Sequence, residues 1–123
     1  MSVAVGHALI ETLEADGRVR PDRLSDWLGT SRQQLAAAAG LSRDAVSKTA
    51  RLQAPATQQR LRDLVEIINR IRGWAGTPEV AFAWYRSEPI PGFGDLTAED
   101  MVRQGRAEAV KRYLSRVAAG GYA

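Results

Sequence analysis

The most constraining feature of the sequence is an amphipathic stretch at residues 57–74. Its apolar positions recur every three or four residues with Arg, Asp and Glu between them, and they are Leu61, Leu64, Val65, Ile68, Ile71 and Trp74. This spacing places them on one face of an α-helix. The chain shows no alternation of apolar and polar residues of the kind that a half-buried strand requires. We therefore predict an all-α fold with a long helix over residues 57–74.

Prolines, glycines and capping residues divide the rest of the chain into shorter predicted helices. These cover residues 2–15, 22–28, 32–39, 43–53, 78–86, 98–104 and 106–119. Ser31 with Gln34 predicts a capping box, and two prolines with two glycines predict a loop at residues 88–95. We predict an N-terminal helical region at residues 1–55 and a C-terminal region at 56–123 that begins with the linker helix 57–74; a boundary near residues 73–76 is the alternative.

Charge is spread unevenly along the chain. Residues 1–17 carry three acidic residues and no Lys or Arg, residues 18–72 carry eleven basic against five acidic residues, and residues 73–123 carry six of each. The resulting excess of +6 in the middle is typical of a segment that faces nucleic acid, and it also fits an ordinary solvated surface.

Composition and motifs speak against several classes of protein. The chain has no cysteine and one histidine, His7, which argues against disulfides and His/Cys metal sites. No Ser or Cys is paired with a base, and no glycine-rich phosphate loop follows a strand. No apolar run reaches the ~18 residues of a membrane span, and residues 1–10 lack a signal-peptide pattern. We predict a cytoplasmic protein that binds macromolecules, without enzymatic activity, cofactor, metal or membrane partner.

Residues 31–50 have the spacing of a helix-turn-helix. Ala36 provides a small residue where two helices touch, Gly40 permits the turn, and Val46 anchors the second helix. If the second helix enters a DNA major groove, its exposed side chains contact bases or phosphates; the predicted DNA-binding residues are Ser42, Arg43, Ser47, Lys48 and Arg51. The same pattern also fits an αα-hairpin that contacts no DNA.

The last 50 residues carry an ordered series of motifs. A helix with Ala81-Phe82-Ala83-Trp84 is followed by the loop of residues 89–94, a helix opened by Thr97, and Gly105 before the last helix. In this order the chain resembles the toxin-binding domain of the ParS/Xre/MbcA antitoxins, in which the domain follows an Xre-type helix-turn-helix. It departs from that family at Tyr85, Phe93 and Ala98, where the pattern usually has leucine, a glycine pair and proline.

The resemblance implies that the protein neutralises a RES-domain toxin, which consumes NAD or uses it for ADP-ribosylation. In such antitoxins the C-terminal domain packs over the toxin, and the extreme C-terminus enters the active-site cleft and excludes NAD. The implied toxin-binding residues are Phe93, Arg112, Arg116, Gly120, Gly121, Tyr122 and Ala123. The glycines permit close approach, Tyr122 is a rigid interface anchor, and the terminal carboxylate can pair with an arginine. A frayed terminus is the alternative.

Other roles stay open at this stage. Repression of its own operon through DNA binding is a further expectation, as is a homodimer that matches two DNA half-sites. A plain helix-turn-helix regulator whose C-terminal half only dimerises is the alternative function. Trp74 and Trp84 are predicted to pack in the core, whereas Phe93 fits an interface as well as local packing.

Overall fold

A computed structural model of the chain describes residues 17–120. This part is mostly helical and has no strands, which confirms the all-α prediction. An isolated antiparallel bridge joins Pro89 and Thr97. The predicted helix at residues 2–15, and Gly121, Tyr122 and Ala123, lie outside the described residues. The helices are α1 (Pro21–Leu28), α2 (Arg32–Ala38), α3 (Arg43–Ser47), α4 (Thr49–Leu52), α5 (Pro55–Ala75), α6 (Pro78–Ser87), α7 (Ala98–Arg103) and α8 (Ala107–Ala118).

Side-chain caps begin several of these helices where the sequence predicts. Ser42 Oγ accepts from the amide of Ala45 at 3.2 Å, and Thr97 and Asp100 form a complete capping box. The box predicted for α2 is wrong, although Ser31 does cap that helix. The Gln34 side chain instead accepts from the hydroxyl of Thr30 at 2.7 Å.

The predicted helix over residues 43–53 is broken. The backbone of Lys48 is extended, with φ −102° and ψ 123°, and separates α3 from α4. Ser47 Oγ donates to the carbonyl oxygen of Arg43 at 2.9 Å, a local bond of the type that competes with helix continuation. Ser47 and Thr49 are also weak helix formers. Ser42 therefore starts the helix as predicted, but the helix ends after five residues.

The long helix α5 supplies the centre of the core. Its residues Leu61, Leu64, Val65, Ile68 and Ile71 are fully buried, as the amphipathic pattern predicts, and α6 and α8 pack against it. Within residues 17–120, no helix combines the length and the apolar character needed to cross a lipid bilayer.

Buried residues from both sides of the predicted boundary at residue 55 belong to one apolar cluster, which extends from Val19 to Leu114. The hydroxyl of Tyr85 in α6 donates to the carbonyl oxygen of Ala38 at the end of α2, at 2.6 Å. The α1–α3 region therefore packs directly against α6 and α7, and the division into two domains stays a prediction.

Candidate binding surfaces

The five predicted DNA-binding residues lie on one exposed region, which we call the α3 surface. Ala45 and Val46 are 8% and 3% exposed and hold α3 against the core, so the opposite side of this helix faces solvent. All five side chains are exposed: Ser42, Arg43, Ser47, Lys48 and Arg51. Because helix α3 ends before Lys48, Arg51 belongs to the following helix α4 and does not continue the exposed face of α3.

The turn before α3 depends on Gly40. Its φ of +73° lies in the left-handed region that favours glycine. A β-carbon here would come within 2.8 Å of Arg60 Nη1 and 3.2 Å of the Arg103 α-carbon. Arg60 Nη1 donates to the carbonyl oxygen of Val102 at 2.6 Å. The turn therefore lies in close contact with the end of α7.

The charges of the α3 surface suit contact with an anionic partner. Arg51 makes an exposed ion pair with Asp44 at 3.6 Å, whereas Arg43 and Lys48 make no ion pair with residues 17–120. A depression beside α3 is lined by Arg32 and Gln33 of α2 as well. Sequence reasoning missed these two residues. They could have been found from their position, because they are polar residues at the start of α2, the first helix of the predicted helix-turn-helix.

Three of the predicted toxin-binding residues meet at the outer face of α8. Phe93, Arg112 and Arg116 line a surface depression of about 390 Å³, which we call the Phe93 groove; its other lining residues are Gly105, Arg106, Glu108 and Ala109. The Arg106 guanidinium lies 5.4 Å from the centroid of the Phe93 ring, a cation–π contact. The groove therefore combines an aromatic ring with three arginines, and Arg106 is a residue that sequence reasoning did not identify.

The inner face of α8 is anchored to α5 by a buried lysine. Lys111 Nζ lies 2.7 Å from Asp63 Oδ1, 3.1 Å from Glu108 Oε2 and 3.3 Å from Glu66 Oε1. Burial of the ammonium group tends to lower the pKa of Lys111, but its hydrogen bonds to these carboxylates outweigh that effect and hold the pKa above its ordinary value. The sequence signal for this anchor is a lysine directly after Val110 on the apolar face of the helix.

The two tryptophans of the C-terminal helices form an edge-to-face pair at the surface. Their ring centroids are 5.6 Å apart at an interplanar angle of 80°. Trp84 is half-buried, but Trp74 is 38% exposed, so the prediction that Trp74 packs in the core is wrong. Trp74 lies at the end of α5, beyond the last fully buried position at Ile71, where the core has ended.

The end of α8 leads to the predicted tail. Gly120 is exposed and has a φ of +96°, whereas Gly121, Tyr122 and Ala123 lie outside the described residues. Among residues 17–120, no group of three or more His, Cys, Asp or Glu side chains is arranged to hold a metal ion.

No family model matches this chain, and no curated protein and no solved structure matches it either. The resemblance to the ParS/Xre/MbcA antitoxins therefore stays a prediction.

Proposed function

We propose that this protein is an antitoxin that binds and neutralises a RES-domain toxin, an enzyme that consumes NAD or uses it for ADP-ribosylation. The observation that supports the proposal best is the convergence of Phe93, Arg112 and Arg116 in one groove on the last helix. Phe93 is separated from the two arginines by 19 or more positions in the sequence. The same helix leads directly into residues 120–123, which the resemblance assigns to the toxin's active-site cleft.

The groove has the chemistry of a protein-binding surface. Arginine side chains bind carboxylates through two parallel hydrogen bonds, which gives direction as well as strength to a contact. Phe93 lies between Gly92 and Gly94, whose φ values of +86° and +63° are left-handed; this backbone presents a half-buried aromatic ring at the edge of the groove. Aromatic and arginine side chains are the residue types that contribute most to protein interfaces.

The tail supplies the inhibition. Gly120 and Gly121 let the chain approach the wall of a cleft closely, and Tyr122 fills the cleft as an amphipathic anchor. Because both proposed partners, an NAD-consuming enzyme and operator DNA, are found in the cytoplasm, we propose that the protein acts there.

The test is deletion of residues 120–123. We expect the truncated protein to keep its helical circular dichroism and melting temperature, since Gly120 is exposed, and to lose its inhibition of NAD consumption by the RES-domain toxin encoded beside it. Full inhibition by the truncated protein would rule out the tail as the inhibitory segment.

Binding of operator DNA is the second candidate function. It is supported by the exposure of Arg43 and Lys48, neither of which makes an ion pair within the described part of the chain, residues 17–120. A two-fold homodimer would present two α3 surfaces to two half-sites. If DNA binding is the only function, the C-terminal half serves dimerisation alone, as in a plain regulator. Phosphate contacts weaken steeply as salt rises, so a titration of operator DNA at two salt concentrations tests this role. A regulator without a toxin would bind DNA and leave NAD consumption unchanged.

A further inference from the structure

A second group of arginines lines a cleft between the segment that precedes α1 and the residues around the break between α3 and α4. Arg18, Arg20 and Arg32 contribute to this open cleft of about 420 Å³, which we call the arginine cleft. Polar side chains of Ser47 and Gln53 line it as well. Of these residues, only Ser47 belongs to the predicted DNA-binding set, so the cleft is a site that the sequence did not indicate.

The segment that precedes α1 is attached to α5 by a buried glutamine. Gln58 Oε1 accepts from the amide of Val19 at 2.7 Å, and Gln58 Nε2 donates to the carbonyl oxygen of Val19 at 3.2 Å. The side chain of Val19 is buried in the core, and the backbone at Arg20 is extended. Because neighbouring side chains of an extended chain point to opposite sides, burial of Val19 directs Arg20 outward, to the wall of the cleft.

Arg32 connects the arginine cleft with the α3 surface. It lines both this cleft and the depression beside α3 that contains Arg43, and Ser47 is also common to the two. The side chain of Arg32 is exposed and makes no ion pair with residues 17–120. A partner that contacts Arg43 and Ser47 on the α3 surface therefore meets Arg32 next, and with it the arginine cleft.

The charge of the cleft favours an anionic ligand. Its three arginines outnumber one carboxylate, that of Asp22, which pairs with Arg20 at 2.9 Å. Guanidinium groups bind phosphates and carboxylates through two parallel hydrogen bonds. The continuity of the cleft with the α3 surface favours phosphate, because DNA that contacts α3 carries a phosphate at every nucleotide beside its groove.

We infer that the arginine cleft binds a backbone phosphate of duplex DNA whose groove is contacted by the α3 surface. The inference rests on DNA binding, the second candidate function proposed above, and it is independent of the antitoxin function. Phosphate contacts fix the position of a protein on DNA but carry no sequence information. Arg32 therefore contributes equally to the affinity for every DNA sequence.

The experiment compares Arg32→Ala with Arg62→Ala. Both arginines are exposed, lie on helices and make no ion pair with residues 17–120, but Arg62 of α5 lines neither depression. Each variant therefore loses one exposed positive charge, and circular dichroism should show an unchanged fold. Affinity is measured at about 50 mM and about 200 mM salt for a duplex from upstream of this protein's own reading frame and for a duplex of scrambled sequence.

We expect Arg32→Ala to weaken binding of both duplexes by the same factor, which should be about threefold larger at the lower salt concentration, as loss of one phosphate contact predicts. Arg62→Ala should bind as the wild type does. Wild-type affinity in Arg32→Ala, a loss confined to the upstream duplex, or an equal loss in Arg62→Ala would overturn the inference and leave DNA binding by the α3 surface intact. A wild type that binds neither duplex would overturn DNA binding as well.

Removal of the carboxylate in the cleft should have the opposite effect. Asp22→Asn removes a negative charge that repels phosphate, whereas Asp26→Asn removes one from the same helix outside the cleft; both aspartates are exposed. We expect Asp22→Asn to bind both duplexes more tightly than Asp26→Asn does. Equal affinities for these two variants would overturn the inference.

Inorganic phosphate tests the other source of the same chemistry. A site for free phosphate would raise the melting temperature of the wild type, but not that of Arg32→Ala, when phosphate replaces chloride at equal ionic strength. If phosphate stabilises the protein in this way while Arg32→Ala binds DNA as the wild type does, the cleft holds a free anion and the inference is overturned.

Discussion

Helices α3 and α8 both present arginines to solvent, but they are held in place in different ways. Helix α3 has five residues, of which Arg43, Asp44 and Ser47 are exposed, and Ala45 and Val46 face the core. In α8, twelve residues include four buried apolar positions as well as the buried Lys111. Exposed charged side chains contribute little to the stability of the fold, and they are accessible to a partner. We therefore expect changes on the outer faces of both helices to affect binding, and changes on the inner face of α8 to affect stability.

The largest expected effect is on the inner face of α8. Replacing Lys111 with Met removes the cation that pairs with Asp63, which is 8% exposed. Breaking a buried ion pair from one side costs about 3–5 kcal/mol, because the remaining charge stays buried without its partner. We expect a fall of this size in the free energy of unfolding, measured by urea denaturation.

The double variant Asp63→Leu/Lys111→Met is the control for this prediction. Replacing both charges by apolar groups leaves no buried charge without a partner, because Glu66 and Glu108, the other carboxylates beside Lys111, are exposed to solvent. Most of the lost stability should therefore return. If the single variant unfolds at the same urea concentration as the wild type, Lys111 does not anchor α8. The two helices would then not differ in how they are attached to the core.

The turn before α3 should show the next largest effect. Gly40→Ala places a β-carbon at φ +73°, 2.8 Å from Arg60 Nη1, and a left-handed non-glycine residue alone costs about 1–3 kcal/mol. Gly73→Ala is the matched control, since Gly73 is helical and has open space around its α-carbon; it should stabilise the protein by about 0.5 kcal/mol. Equal melting temperatures for the two variants would show that α2 and α3 do not depend on this close approach.

The bond between α6 and α2 should have a smaller effect that depends on pH. Tyr85→Phe removes a buried hydrogen bond to Ala38, worth about 1 kcal/mol at neutral pH. Burial, followed by the charge of Glu99, raises the pKa of Tyr85 above its ordinary value of 10.0. The neutral phenol is therefore favoured in the folded state, and its contribution is complete below pH 10.0 and lost as the pH rises further.

Urea denaturation of both proteins between pH 8 and pH 11 measures this effect, and the wild type should lose stability more steeply than Tyr85→Phe above about pH 10. The raised pKa of Lys111 acts in the same direction in both proteins, so it cancels in the comparison. Parallel curves for the two proteins would contradict the assignment to Tyr85.

The smallest effect on stability is expected at Arg51. Its side chain is 63% exposed and its pair with Asp44 is 3.6 Å long, and exposed pairs of this kind contribute less than about 1 kcal/mol. Arg51→Ala should leave the melting temperature almost unchanged. The slope of log DNA affinity against log salt concentration should fall by about the value of one phosphate contact. A large loss of stability would show that this ion pair holds α4 in place. Exposed charges near α3 would then stabilise the fold, contrary to the comparison between α3 and α8.

Local signals in the sequence predicted more of this fold than long-range ones did. Ser42 and Thr97 cap helices at the predicted positions because each bond joins residues three apart. The exposure of Trp74 and the burial of Lys111 depend on neighbours that are distant in the sequence. The composition of a single stretch does not contain that information.

The Phe93 groove illustrates the same limit for a site. Arg112 and Arg116 are one helical turn apart, so their common face follows from the sequence. Their approach to Phe93 follows the turn at Gly105 between α7 and α8 and was not predicted; the resemblance assigned the three residues to toxin binding without placing them together. Arg106 was not predicted, because its position over the Phe93 ring depends on the path of the 89–94 loop.

The contacts at Tyr85 and Gly40 also determine which parts of this chain can be exchanged with those of relatives. The hydroxyl of Tyr85 satisfies a carbonyl group of α2, and the absent side chain of Gly40 leaves room for α7. A chimaera that joined residues 1–55 to another protein's C-terminal half would lose the hydrogen bond to Ala38 unless that half carries a tyrosine at the position of Tyr85. It would keep the close approach at Gly40 only if the backbone of its α7 lies at the same distance. Recombination at the linker helix is therefore expected to preserve folding only among sequences that share the hydrogen bond at position 85 and the close approach of α7 to position 40.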